Sequence, residues 1–305
     1  MPLRHILLRA GLLAAVGGAQ TPRYAGVLTF AAAGDGDPLT PATERELDLA
    51  TGRLTTRFDG LDATRARSGE TAFIRRLAGG YYADHAVVVA DARGVLGAPL
   101  HLCRAFNWSR NRGCGTPKLA PDGRRVAFTY AGGGGSRCTN SYGMAWADYV
   151  VVTDRRGVEL GRFEGYADPE WLADGRLLMM GSACRDAGVW VADATLRRPA
   201  RVDGGRVTTP ATRPAASPDG GRVAFVWKGQ LWALSLAGRP ALERLTRLPN
   251  AVTAGAWSPD GRAVAVTMAG VSVPARAVAL FRPGEPASLE IRRLAVAPYG
   301  PLSWR

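Results

Sequence analysis

Ala216-Ser217-Pro218-Asp219-Gly220-Gly221-Arg222-Val223-Ala224-Phe225-Val226-Trp227 is the stretch on which the fold turns. Pro218 presets φ for the second residue of a type I turn, Asp219 can accept from its own backbone, and Gly220 accepts a positive φ. Beyond the turn, Val223, Phe225 and Trp227 alternate with Arg222, Ala224 and Val226, the period-two pattern of a strand. The reading is a short strand, a tight turn, then strand b over Arg222–Trp227, strand c over Gln230–Leu236 and strand d over about Leu242–Leu248.

The unit recurs. Ala120-Pro121-Asp122-Gly123 precedes Val126-Ala127-Phe128, Leu172-Ala173-Asp174-Gly175 precedes Leu177-Leu178-Met179, and Ser258-Pro259-Asp260-Gly261 precedes Val264-Ala265-Val266. The turn aspartates Asp122, Asp174, Asp219 and Asp260 lie 52, 45 and 41 residues apart. A period of about 40–50 residues with several strands per unit is the signature of propeller blades. A blade lacking the Asp-Gly turn fits residues 61–102, with Gly69-Glu70 in its place, Thr71–Leu77 as strand b, His85–Ala90 as strand c and Ala98–Leu102 as strand d. The first blade, with Gly26–Phe30, Glu44–Leu49 and Arg53–Phe58 as its strands, has no inner strand before it. Pro301-Leu302-Ser303-Trp304 copies the start of a blade and stops, so the C-terminal strand is expected to complete the N-terminal blade. The fold class is therefore all-β, a closed six-bladed β-propeller of four-stranded blades over 24–305, one domain.

Ala256-Trp257-Ser258-Pro259-Asp260-Gly261, with the strand endings Val88-Val89-Ala90-Asp91, Val151-Val152-Thr153-Asp154 and Val191-Ala192-Asp193, resembles the WD-like Ser-Pro-Asp-Gly repeat of TolB-type six-bladed propellers. The resemblance spans most of 24–305 and implies the propeller alone, without that family's N-terminal α/β domain.

With 47% apolar residues the chain can bury a large core. Its formal charge of +13 comes almost wholly from arginine, since only Lys118 and Lys228 are lysine. The arginines are spread over every blade and never run interleaved with aromatics, so no nucleic-acid partner is expected. Met1–Ala19 has Arg4 and His5, an apolar stretch and Gly17-Gly18-Ala19, the pattern of a signal peptide. It is too short to be a transmembrane segment. A periplasmic or secreted monomer is expected.

Chain direction in a propeller puts the a–b and c–d turns on one face and the d–a and b–c links on the other. The long links, Phe106–Thr116, Ala131–Ala147 and Ser182–Gly188, all fall on the second face, where function tends to sit. Trp108, Arg110, Arg112, Arg137, Tyr142, Trp146 and Arg185 are the candidate partner-binding residues there, being of the types enriched at interfaces. Asp122, Asp174, Asp219 and Asp260 are structural turn residues. The four cysteines suit an exported chain with two disulfides; three pairings are possible, and Cys103–Cys114 with Cys138–Cys184 is the favoured one. No Cys-x-x-Cys pair or phosphate-loop ending occurs, and the inner segments Pro214–Ala216, Ala254–Trp257 and Leu302–Trp304 are poor in acids. Neither a catalytic residue, a metal ligand nor a cofactor is assigned. The expected function is binding of a protein or peptide of the cell envelope through the loop-rich face; the alternative is a metal-dependent hydrolase or lactonase-like propeller enzyme.

Overall fold

The computed structural model describes residues 24–32, 43–66, 68–77, 85–103, 114–139, 145–182, 186–269 and 274–305. Six four-stranded antiparallel sheets form the ring. Blade 1 is β1 (Val27–Ala32), β2 (Thr43–Asp48) and β3 (Leu54–Asp59). Blade 2 is β4 (Leu61–Arg65), β5 (Thr71–Arg76), β6 (His85–Ala90) and β7 (His101–Cys103). Blade 3 is β8 (Cys114–Leu119), β9 (Arg125–Thr139), β10 (Ala145–Asp154) and β11 (Glu159–Glu164). Blade 4 is β12 (Tyr166–Trp171), β13 (Leu177–Gly181), β14 (Val189–Ala192) and β15 (Ala200–Arg201). Blade 5 is β16 (Thr212–Ala216), β17 (Arg222–Trp227), β18 (Gln230–Ser235) and β19 (Leu242–Arg244). Blade 6 is β20 (Val252–Trp257), β21 (Val264–Ala269), β22 (Pro274–Arg282) and β23 (Glu285–Arg293), and β24 (Pro298–Trp304) returns to pair with β1.

That return closes the ring and removes two exposed sheet edges. Val27 N–H donates to the Arg305 carbonyl at 2.8 Å, and Trp304 Nε1 donates to Ala25 O at 3.0 Å. Trp171 and Trp257, at the ends of β12 and β20, instead donate to carbonyls of the preceding inner strands, Lys118 O and Ala215 O, both at 3.1 Å. The guanidinium of Arg125 lies over Trp171 at 4.7 Å and that of Arg222 over Trp257 at 4.5 Å. Part of the arginine excess thus braces neighbouring blades.

The turns follow the chemistry read from the sequence. In the Asp219 turn, Gly220 N–H donates to Ser217 O at 2.9 Å, Gly220 takes φ 70°, and Asp219 Oδ1 accepts from Gly221 N–H at 3.0 Å. Asp122, Asp174 and Asp260 accept likewise from Arg124, Arg176 and Arg262.

Two expectations need correction. Ala131–Ala147 is not an irregular loop: β9 and β10 run on past their sheet, so most of the segment is the arm of a long hairpin. An antiparallel pair satisfies its own backbone even where the sequence is Gly-rich. The outer strands are also shorter or later than expected, β7 beginning at His101 and β19 ending at Arg244. An outermost strand pairs on one side only and is ended by the first misplaced donor.

Five of the six blade junctions are filled by apolar clusters shared between neighbours. Between blades 4 and 5, Leu178, Met180 and Val191 meet Val223, Phe225 and Leu234. Between blades 6 and 1, Val278 and Leu280 meet Leu28, Phe30 and Leu47. At the junction of blades 1 and 2 the apolar cluster among the described residues, Ala63, Phe73, Ala86, Val88 and Ala90, comes from blade 2. Blade 1 answers it with Thr29, Ala31, Glu44 and Glu46, all buried. Glu46 is neutralised by Arg65 of β4, by Arg305 at 3.0 Å and by Arg57 at 3.5 Å. Among the described residues Glu44 has no hydrogen-bond partner on either oxygen. Burial, and secondarily the Glu46 charge, pushes its carboxyl up to about 8 against the pull of the three arginines.

Candidate functional site

Each inner strand enters from the loop-rich face and makes a β-bulge near its start. Two residues oppose one on the neighbouring strand: Asp62-Ala63 on β4 face Phe73, Thr116-Pro117 on β8 face Phe128, Asp168-Pro169 on β12 face Met179, and Arg213-Pro214 on β16 face Phe225. β20 bulges at Thr253 and β24 at Gly300-Pro301. Proline lacks the N–H a ladder would need, so a bulge is where a strand tolerates it. The first residue of the bulge takes a left-handed φ in five blades: Asp62 at 52°, Thr116 at 46°, Asp168 at 47°, Arg213 at 53° and Gly300 at 76°. For the four that carry side chains this costs on the order of 1–3 kcal/mol each.

The bulges form a polar ring around the central channel. Asp62 Oδ2 accepts from Thr116 N–H of the next blade at 3.2 Å, and Asp168 Oδ2 accepts from Arg213 N–H at 3.0 Å. Between them, Asp168 N–H donates to Thr129 Oγ1 at 2.8 Å, and Thr129 shares a hydroxyl–hydroxyl bond of 3.0 Å with Thr116. Arg213 reaches over the channel: its Nη1 donates to Gly300 O at 2.7 Å and to Thr253 O at 3.0 Å. A Cβ on Gly300 would come within 3.2 Å of Asp62 Oδ1, so glycine keeps that approach open. Burial pushes the Asp62 carboxyl up; Arg213 and the Thr116 N–H draw it back, and Asp168 raises it again. A step deeper, Lys118 Nζ donates to Glu170 at 2.6 Å, and burial raises Glu170 too. A small cavity on the axis is lined by Thr116, Lys118, Asp168, Arg213, Gly255 and Leu302 among others.

The expectation that the inner strands are poor in acids is therefore wrong for β4 and β12. They carry Asp62, Asp168 and Glu170, whereas the acid-poor segments belong to β16, β20 and β24. A sequence signal existed. Thr116-Pro117, Asp168-Pro169 and Arg213-Pro214 each begin six residues before a turn aspartate, and Gly300-Pro301 repeats the pattern.

Of the residues expected to meet a partner, Trp108, Arg110, Arg112, Tyr142 and Arg185 lie outside the described residues. Arg137 and Trp146 sit on the hairpin arms β9 and β10, with Trp146 paired to Gly133, and their side chains lie outside the description. Cys103 and Cys114 are joined by a disulfide that ties the end of β7 to the start of β8, with Cα atoms 5.7 Å apart. Cys184 and the Cys138 side chain lie outside the described residues, as do residues 1–23 and the signal expected there. Among the described residues no helix is long and apolar enough to cross a membrane.

No family model matches the chain, and no curated protein matches it in sequence. Solved structures match its fold: it is a six-bladed β-propeller. TolB propellers are among the solved structures whose fold it resembles. TolB from Acinetobacter baumannii superposes with a TM-score of 0.62 at 13% identity over 92% of this chain, which spans 66% of that one. A nidogen/laminin complex gives 0.59 at 12% identity, covering 92% of this chain and 98% of the other. An oligogalacturonate lyase in complex with manganese gives 0.53 at 13% identity, covering 89% and 74%. At such identities the likeness is one of fold.

Proposed function

We propose that the chain is a non-enzymatic, exported propeller that binds a protein or peptide through its loop-rich face, with the axial ring as the floor of the contact. The supporting observation is the ring itself. Four side-chain-bearing residues accept a left-handed backbone at one level of the channel, at the end where the β9–β10 arms and the disulfide also lie. Strain repeated at one level is investment of the kind found at ligand sites. Arg213 offers a planar donor fork for a carboxylate or a main-chain carbonyl, and Asp62 and Asp168 offer acceptors for N–H groups or a cationic side chain. The TolB and nidogen likenesses agree with a protein partner, and the disulfide agrees with an envelope or secreted location.

The second reading is a metal-dependent propeller enzyme, favoured by Asp62 and Asp168 at the axis. Against it, each carboxylate already accepts a backbone N–H, and the Arg213 charge already acts on Asp62.

A photo-crosslinker at position 108 or 185, tested in intact cells, separates the readings. The proposal expects a discrete protein adduct from those positions and none from position 262 on the turn face. Adducts from position 262 alone would overturn it. One tightly held divalent ion per chain, lost in Asp62→Asn, would favour the enzyme.

A further inference from the structure

We propose that His101, Cys103 and Cys114 are a redox-gated site for a soft divalent metal ion such as zinc, shut as a disulfide when oxidised and open as a Cys2His site when reduced. The three ligand atoms lie within 4.8 Å of one another. Tetrahedral zinc with bonds of about 2.0–2.3 Å needs its ligands about 3.3–3.8 Å apart, so small side-chain shifts suffice once the sulfurs separate. His101 and Cys103 stand two apart on β7, hence on one side of it, and Cys114 opens β8 opposite them. The His101 ring is held by Phe128 at 5.0 Å and Tyr130 at 5.5 Å between centroids.

The chemistry balances with a dithiol as reductant. Two electrons and two protons pass from it to the Cys103–Cys114 bond, giving two thiols and the reductant's own disulfide. The metal ion then takes two thiolates and the imidazole lone pair and releases the two thiol protons. Its fourth position stays open to water. Either state fastens β7 to β8, so the ends of the 104–113 link stay anchored whatever the redox condition.

The test uses the full chain with and without a dithiol. Reduced protein titrated with cobalt(II) develops a thiolate-to-cobalt charge-transfer band saturating at one ion per chain, and oxidised protein shows none. Zinc then slows alkylation of Cys103 and Cys114, read by peptide mass spectrometry, and leaves Cys138 and Cys184 as reactive as before. His101→Ala weakens cobalt binding by at least about tenfold. No charge-transfer band in the reduced chain, protection of Cys138 and Cys184 in place of the named pair, or unchanged affinity in His101→Ala would each overturn the site. Because the footprint is read on the wild-type chain, it decides the matter even if His101→Ala fails to fold.

Discussion

The aspartates of the turn face and two buried carboxylates towards the loop-rich face are shifted in opposite ways. On the turn face, Asp219 and Asp260 each accept from a serine hydroxyl and then from a backbone N–H, and Asp48 accepts from Thr51 N–H; all three are held below the usual carboxylate range. Towards the loop-rich face, burial raises Asp62 at the mouth of the channel and Glu44 at the start of β2. A carboxylate bonded by its own turn is explained by backbone geometry. One pushed up by burial costs stability, and no repeat requires it. The difference teaches which face is scaffold and which is shaped for something else.

The comparison breaks first at the strand that joins both faces. Deleting Pro301–Arg305 removes the buried Leu302 and Trp304 and exposes β1. The loss is about 5 kcal/mol or more, a drop in Tm on the order of 10 °C or outright failure to fold. A truncated chain melting with the full one would mean that the ring is not closed this way.

The pH dependence is next in size. The native chain keeps a proton on Glu44 up to about pH 8, whereas the unfolded chain releases it near 4.5. The native state thus binds more protons across that window, and stability falls as pH rises, by up to about 1.4 kcal/mol per pH unit. The turn aspartates work the other way: their contribution is present above the unfolded pKa of about 4 and is lost as pH falls through their lowered native values. Denaturant unfolding is expected to show greatest stability at mildly acidic pH. Glu44→Gln should flatten the alkaline fall while leaving the acid limb intact; an unchanged alkaline limb would remove the charge asymmetry between the faces.

The smallest effect belongs to a single turn. Asp219→Ala frees the Gly221 N–H and the Ser217 hydroxyl near solvent and should cost about 1 kcal/mol, with no effect on partner affinity. A loss of binding in that variant would blur the division between the faces.

What the sequence disclosed follows this division. Ser217-Pro218-Asp219-Gly220 and its copies act locally, so blade number, strand order and ring closure by Pro301–Trp304 could be read from them. The axial ring depends on tertiary contact. Asp62 meets Thr116 only once blades 2 and 3 pack, and Arg213 meets Gly300 only after the ring has closed, and a left-handed φ at Thr or Arg is no local preference. The recurrent X-Pro pair was the legible trace. Its role as a bulge, and the polar face that blade 1 turns towards blade 2, required the register of neighbouring strands.

The central claim is that a partner is met on the loop-rich face. The most direct measurement is the affinity of the partner recovered by crosslinking, compared among Trp108→Ala, Arg185→Ala and Arg262→Ala by calorimetry. The account predicts at least about a tenfold loss for the first two and wild-type affinity for Arg262→Ala on the turn face. Loss confined to Arg262→Ala would contradict it.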